Sequence, residues 1–139
     1  MGDARKIDFL IIGAQKAGTS TIDGLLRQHP NVQMATNKEL HFFDNESNFQ
    51  SGVVDYAKYE SQFNWNDPEK KFGESTPIYM YWDKAIKRIW EYNKNIKLII
   101  ILRNPIERAF SHWNMEKSKG KDKATLMEAI TNEEIRSKE

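Results

Sequence analysis

The sequence predicts an α/β fold in three layers, a parallel sheet flanked by helices. Two observations carry that reading. The runs DFLII (residues 8–12) and KLIIIL (residues 97–102) are apolar without alternation, as strands covered on both faces are. Segments with helical spacing separate the strand-like ones, which is the order of such folds. A third observation concerns chemistry. Both apolar runs lead into polar stretches, Gly13–Thr21 and Arg103–Ser111. Ligands of parallel sheets gather at the carboxyl ends of strands, so the two stretches are expected at one crevice.

The elements follow in order. After the first strand, residues 13–18 read as a loop. A helix over 19–28 places Ile22, Leu25 and Leu26 on one face, and HPN (29–31) ends it. VQM (32–34) is a short strand, and ATNKELHFFD (35–44) is irregular or extended. VVDYAKYESQF (53–63) has helical spacing, so Tyr56, Tyr59, Phe63 and Trp65 read as core. NWNDPEKK (64–71) is a polar turn, FGES (72–75) a strand, and TPIYMYWD (76–83) an aromatic loop. A helix over 84–92 is expected to bury Ile86, Ile89 and Trp90. KLIIIL is the clearest strand. Asn104 then suits an N-cap, Pro105 the first helical position and Glu107 a capping side chain. That helix is expected to bury Ile106, Ala109, Phe110 and Trp113. KSKGKDK (117–123) is a charged connection, and from Ala124 the chain reads as one helix that stops without a C-cap.

Bulk properties narrow the function. A chain of 139 residues is long enough for one domain with a real core but not for two domains. A net charge of +1 gives no general field for nucleic acid or an anionic membrane, so any anion site must be local. No apolar run is long enough to span a bilayer, and no secretory signal is visible, so membrane insertion is not expected. The sequence has no cysteine, which excludes disulfides and thiolate metal sites and fits a reducing, cytoplasmic setting.

GAQKAGTST (13–21) keeps the glycine spacing of a Walker-type phosphate loop, yet the lysine that should precede the hydroxyl is absent and Lys16 stands inside the loop. Gly13 and Gly18 let successive N–H groups turn toward an anion, and the following helix adds its positive end. Thr19, Ser20 and Thr21 add hydroxyl donors. The plainer alternative is a strand–turn–helix corner rich in small residues. In LRNPIERAFSHW (102–113), Arg103 offers a planar fork of donors at a strand end, and Ser111 offers a hydroxyl eight residues on. Arg108 shares a helical face with Ser111. The plainer alternative makes Arg103 a salt-bridge partner and Ser111 incidental.

Together these stretches resemble the sulfotransferases that use 3′-phosphoadenosine 5′-phosphosulfate (PAPS). GAQKAGTST is similar to their 5′-phosphosulfate loop, and RNPIERAFSHW to their 3′-phosphate segment. NKELHFFD and GESTP are similar to the heparan sulfate (carbohydrate) branch, where a Lys-Glu-Pro-His-Phe-Phe motif is typical. The resemblance implies a nucleoside-kinase-like sheet and sulfuryl transfer to a hydroxyl or amine of a carbohydrate or small metabolite, with no required metal. It implies that Gly13, Gln15, Lys16, Ala17, Gly18, Thr19, Ser20 and Thr21 form the donor loop, with Lys16 on the leaving phosphate. It assigns Arg103 and Ser111 to the 3′-phosphate and Glu39 to the general base. His41 is the alternative base or the partner that tunes Glu39; in an extended stretch the two point the same way.

Two departures stand out. Leu40 replaces the proline, which is expected to loosen the loop. Ser75 replaces a lysine usual in that branch, leaving Glu74, Ser75 and Thr76 as substrate-side candidates. Tyr79, Tyr81 and Trp82 are candidates to flank an acceptor. Residues 1–139 are expected to be the N-terminal part of one sulfotransferase domain, truncated, with exposed surface through which the chain could self-associate. The competing readings are a P-loop kinase of the nucleoside or adenylylsulfate type and a non-catalytic nucleotide-binding module.

Overall fold

The computed structural model describes residues 5–136. The chain forms two compact units, Met1–Leu102 and Arg103–Glu139.

The first unit is built on strands β1 (Phe9–Gly13), β2 (Val32–Met34), β3 (Lys71–Ser75) and β4 (Lys97–Ile100). They form one sheet in the order β2-β3-β1-β4, and every neighbouring pair is parallel. Helices α1 (Thr19–Arg27), α2 (Tyr56–Glu60) and α3 (Asp83–Tyr92) and short 3-10 turns at Glu46–Phe49 and Pro77–Met80 complete it. The uninterrupted apolar run of β1 has a direct cause. Leu10 and Ile12 enter one core with Phe42, Phe43, Phe72, Tyr79, Ile89 and Tyr92, while Phe9 and Ile11 enter another with Met34, against Ile22 and Leu26 of α1. Both faces of the central strand are therefore covered. Tyr59 and Phe63 are buried and Tyr56 and Trp65 pack against the first core, as the helical spacing implied.

Three expectations are corrected. Leu25 is exposed, because the inner face of α1 is completed by Thr19 and Asp23, the latter bonded to Arg27. Ile86 and Trp90 are also exposed; α3 buries the stripe Ala85, Arg88, Ile89 and Tyr92. A polar interior decides that rotation. The Arg88 guanidinium donates to the Phe43 carbonyl (2.8 Å) and to Glu46 (2.9 Å), and the Tyr92 hydroxyl donates to Glu60 (3.1 Å). Among the described residues β4 pairs with β1 alone, and its apolar run is covered on one face, not both. Ile99 and Ile101 face the second core, while Leu98, Ile100 and Leu102 stay exposed.

The second unit holds helices α4 (Pro105–Ser118), α5 (Leu126–Thr131) and α6 (Glu133–Arg136). Asn104 caps α4 as expected, accepting from the N–H groups of Ile106 (3.0 Å) and Glu107 (3.4 Å). The single helix expected from Ala124 is instead two, separated at Asn132. α5 begins with a capping box in which Thr125 and Glu128 bond each other's backbone. No residue of α4 is fully buried; Ile106 and Phe110 are exposed and Ala109 and Trp113 only partly covered. A small helical unit encloses little surface, so an apolar stripe in it does not become a core. The expected uncapped end lies outside the described residues. No helix among the described residues is long and apolar enough to cross a membrane.

Candidate active site

The loop after β1 starts as an extension of the sheet. The N–H of Ala14 donates to Ile101 (2.9 Å), and the N–H of Ile101 donates to Gly13 (2.9 Å). A side chain at Gly13 would meet Met80 at 2.8 Å, so this glycine is required by packing on the Pro77–Met80 turn. Lys16 (φ 65°) and Gly18 (φ 105°) are both left-handed and flank Ala17. The N–H of Ala17 closes the turn onto Ala14 (3.1 Å). Gly18 occupies the N-cap of α1 without a side-chain cap, and the first turn holds no acidic residue. Its N–H groups and helix dipole thus suit an anion. Thr19 is buried, Gln15 and Lys16 are half-buried, and Ser20 and Thr21 are exposed. The loop thus gathers backbone N–H groups, hydroxyls and one ammonium, donors that suit an anion.

The second cluster lies on the irregular stretch after β2. The N–H of Glu39 donates to the carbonyl of Ser75 (2.9 Å), and the N–H of Thr76 donates to Ile11 (3.0 Å). Since β3 and β1 are neighbours, the Lys16 loop and the Glu39 loop leave the same carboxyl end of the sheet. The stretch is not extended. Glu39 (φ 60°) and His41 (φ 51°) are both left-handed, and their side chains approach through these kinks. Lys38 pairs with Glu39 Oε1 at 2.6 Å. His41 Nε2 lies 3.8 Å from Glu39 Oε2, and His41 Nδ1 lies 2.7 Å from Asp44 Oδ2. With a neutral imidazole, a proton on Nδ1 would bond Asp44 and leave Nε2 facing Glu39. Among the described residues, the non-glycine positions with positive φ are Lys16, Glu39 and His41, the three candidates for catalysis. Each such conformation costs roughly 1–3 kcal/mol and persists where surrounding structure imposes it.

That structure was largely missed by sequence reasoning. Phe42 and Phe43 point into the core; Phe42 stacks on Tyr59 at 4.7 Å between ring centroids. Their N–H groups donate to the Tyr79 hydroxyl at 3.0 and 3.4 Å. Arg88 holds the Phe43 carbonyl and, with Lys84, pulls the Glu46 carboxyl down to about 2. Glu74, Ser75 and Thr76 are fully buried, which removes them as substrate-side groups. Burial pushes the Glu74 carboxyl up to about 7, against hydrogen bonds from Tyr79, Thr76, Tyr59 and the Leu40 N–H. Tyr79 is likewise core, whereas Tyr81 and Trp82 remain exposed. Asp44 was legible as the carboxylate three residues after His41; Arg88 and Glu74 carried no comparable signal, since charged residues are usually exposed.

In the second unit, Arg103 precedes the N-cap of α4, and its Nε contacts Glu107 Oε2 at 3.2 Å. Ser111 and Arg108 lie on α4, partly buried.

The fold and the loop define an α/β protein with a phosphate-loop-like turn and a histidine–carboxylate cluster on loops from one end of its sheet. Residues 6–138 match the sulfotransferase domain family, and the chain belongs to it. It is 35% identical over 107 residues to the membrane-associated sulfotransferase kil1 of Dictyostelium discoideum, covering 77% of this chain and 22% of that protein. It is 36% identical over 104 residues to human heparan sulfate glucosamine 3-O-sulfotransferase 5, covering 75% of this chain and 29% of that protein. The crystal structure of a sulfotransferase from Alicyclobacillus acidocaldarius superposes with a TM-score of 0.81 at 27% identity, covering 97% of this chain and 60% of that one. The chain thus spans less than a third of these curated relatives.

Proposed function

We propose that the protein to which this chain belongs transfers a sulfuryl group from PAPS to a hydroxyl or amine of a carbohydrate or small metabolite. The observation that carries this is the left-handed backbone at Lys16, Glu39 and His41, set on loops from one end of one sheet. The donor supplies a sulfuryl group activated by its bond to phosphate. The loop from Gly13 to Thr21 holds the 5′ end through backbone N–H groups and hydroxyls, and Lys16 neutralises charge on the leaving oxygen. Arg103 and Ser111 recognise the 3′-phosphate. Glu39 takes the proton from the acceptor, and the His41–Asp44 pair orients that carboxylate. The carbohydrate acceptor class rests on the named activities of the heparan sulfate relatives. The lack of cysteine supports a cytoplasmic setting.

The test is transfer from radiolabelled PAPS to a panel of sugars and amines by the full-length protein, beside γ-labelled ATP with magnesium. Label from PAPS and none from ATP is expected. Phosphorylated product from ATP, and none from PAPS, would establish the kinase reading instead.

A further inference from the structure

We infer that Glu74 is a positioning residue for the Glu39 loop, holding the backbone of residues 39–43 in its kinked form from beneath. This deepens the proposed function, since it rests on Glu39 as base. Glu74 is the penultimate residue of β3 and is completely buried. Its Oε1 accepts from the Tyr59 hydroxyl (3.1 Å) and its Oε2 from the Thr76 hydroxyl (2.9 Å). The Tyr79 hydroxyl and the Leu40 N–H also bond this carboxylate. Tyr79 in turn accepts from the N–H groups of Phe42 and Phe43. The next residue, Ser75, offers its carbonyl to the N–H of Glu39. Four of the five N–H groups from Glu39 to Phe43 therefore end on the tip of β3, directly or through Tyr79.

The chemistry suits an acceptor and little else. Each of these partners has a hydrogen to donate, and the two carboxyl oxygens of Glu74 offer the lone pairs that accept them. Leu40 sits between Glu39 and His41, the two left-handed residues, so fixing its N–H fixes both flanking turns. A proline at position 40 would have no N–H to give. The loop that the missing proline was expected to loosen is held by a buried carboxyl group instead.

Tyr59 supplies the control, because its hydroxyl bonds Glu74 and not the loop, and Y59F keeps the ring that stacks on Phe42. The experiment measures kcat, donor KM and amide exchange at Leu40, Phe42 and Phe43 in the full-length protein and in E74Q, Y79F and Y59F. Misplacing a reacting group by an ångström can lose about 10²-fold in rate, so E74Q and Y79F should lower kcat by about ten- to 10²-fold. Donor KM should stay within about twofold, since the Lys16 loop is untouched. Exchange at the loop amides should accelerate about tenfold as local opening becomes easier. Y59F should leave kcat and loop exchange near wild type. Wild-type kcat and exchange in E74Q, or an equal loss in Y59F, would overturn the inference. If wild type transfers no sulfuryl group, the proposed function fails separately, and loop exchange in E74Q against Y59F still decides the role of Glu74.

Discussion

The two loops at the carboxyl end of the sheet hold unusual backbone by different means. The loop from Gly13 to Thr21 is shaped mainly by its own sequence, two glycines, one of them left-handed, and a helix that begins where the turn ends, with one distant contact where Gly13 packs on Met80. The loop from Lys38 to Asp44 has no glycine, yet it contains two left-handed residues. Its shape is imposed by Ser75, Tyr79, Arg88 and Glu74, all distant in sequence. A local device and a tertiary one thus present the two halves of one proposed reaction, donor binding and acceptor deprotonation.

The largest expected effect separates these halves. Glu39→Gln should lower kcat by about 10²–10⁴-fold, the usual range for a lost general base, with little change in donor affinity. Lys16→Ala should lower kcat by about 10²–10³-fold and also weaken donor binding, because it removes charge stabilisation at the leaving oxygen. Steady-state kinetics with PAPS varied reads both.

The tertiary device should also appear in the pH dependence of stability. Glu74 is shifted from 4.5 to about 7 by burial, so the folded state holds its proton more tightly than the unfolded state does. Its contribution is complete below about pH 4.5 and is lost as pH rises through about 7, on the order of 3 kcal/mol. Glu46 acts in the opposite sense: pulled down to about 2, it contributes above the ordinary carboxylate value and loses that as the solution is acidified. Urea unfolding of wild type and E74Q across pH 5–8 should show the fall in wild type and its absence in the variant.

The local device should break by packing. Gly13→Ala places a methyl group 2.8 Å from Met80 Cβ and should destabilise by about 1–3 kcal/mol, seen as a lower thermal midpoint. The smallest effect lies in the second unit. Thr125→Ala removes the capping box of α5 and should cost about 1 kcal/mol of local helix stability, read by amide exchange at Glu128, without altering donor binding.

What the sequence made legible follows the same division. The parallel sheet was readable from β1, because a strand with both faces covered must be apolar throughout. The same rule did not hold for β4: among the described residues its apolar run has one neighbour, β1, and Leu98 and Ile100 are exposed. Composition does not say which neighbour a strand has. The phosphate loop was readable because its constraints are local. Glu39 and His41 were singled out by resemblance, and their left-handed backbone was not foreseen, since the residues that impose it lie more than thirty positions away. Arg88 and Tyr92 turned α3 away from its most apolar stripe for a related reason: buried hydrogen bonds outweighed the burial of Ile86 and Trp90.

The division of labour between the loops is tested most directly by calorimetric titration of 3′-phosphoadenosine 5′-phosphate, without magnesium, into wild type, Lys16→Ala and Glu39→Gln. Wild type and Glu39→Gln should bind with near-equal affinity, and Lys16→Ala markedly more weakly. Equal weakening in both variants, or tighter binding of ATP with magnesium to wild type, would contradict it.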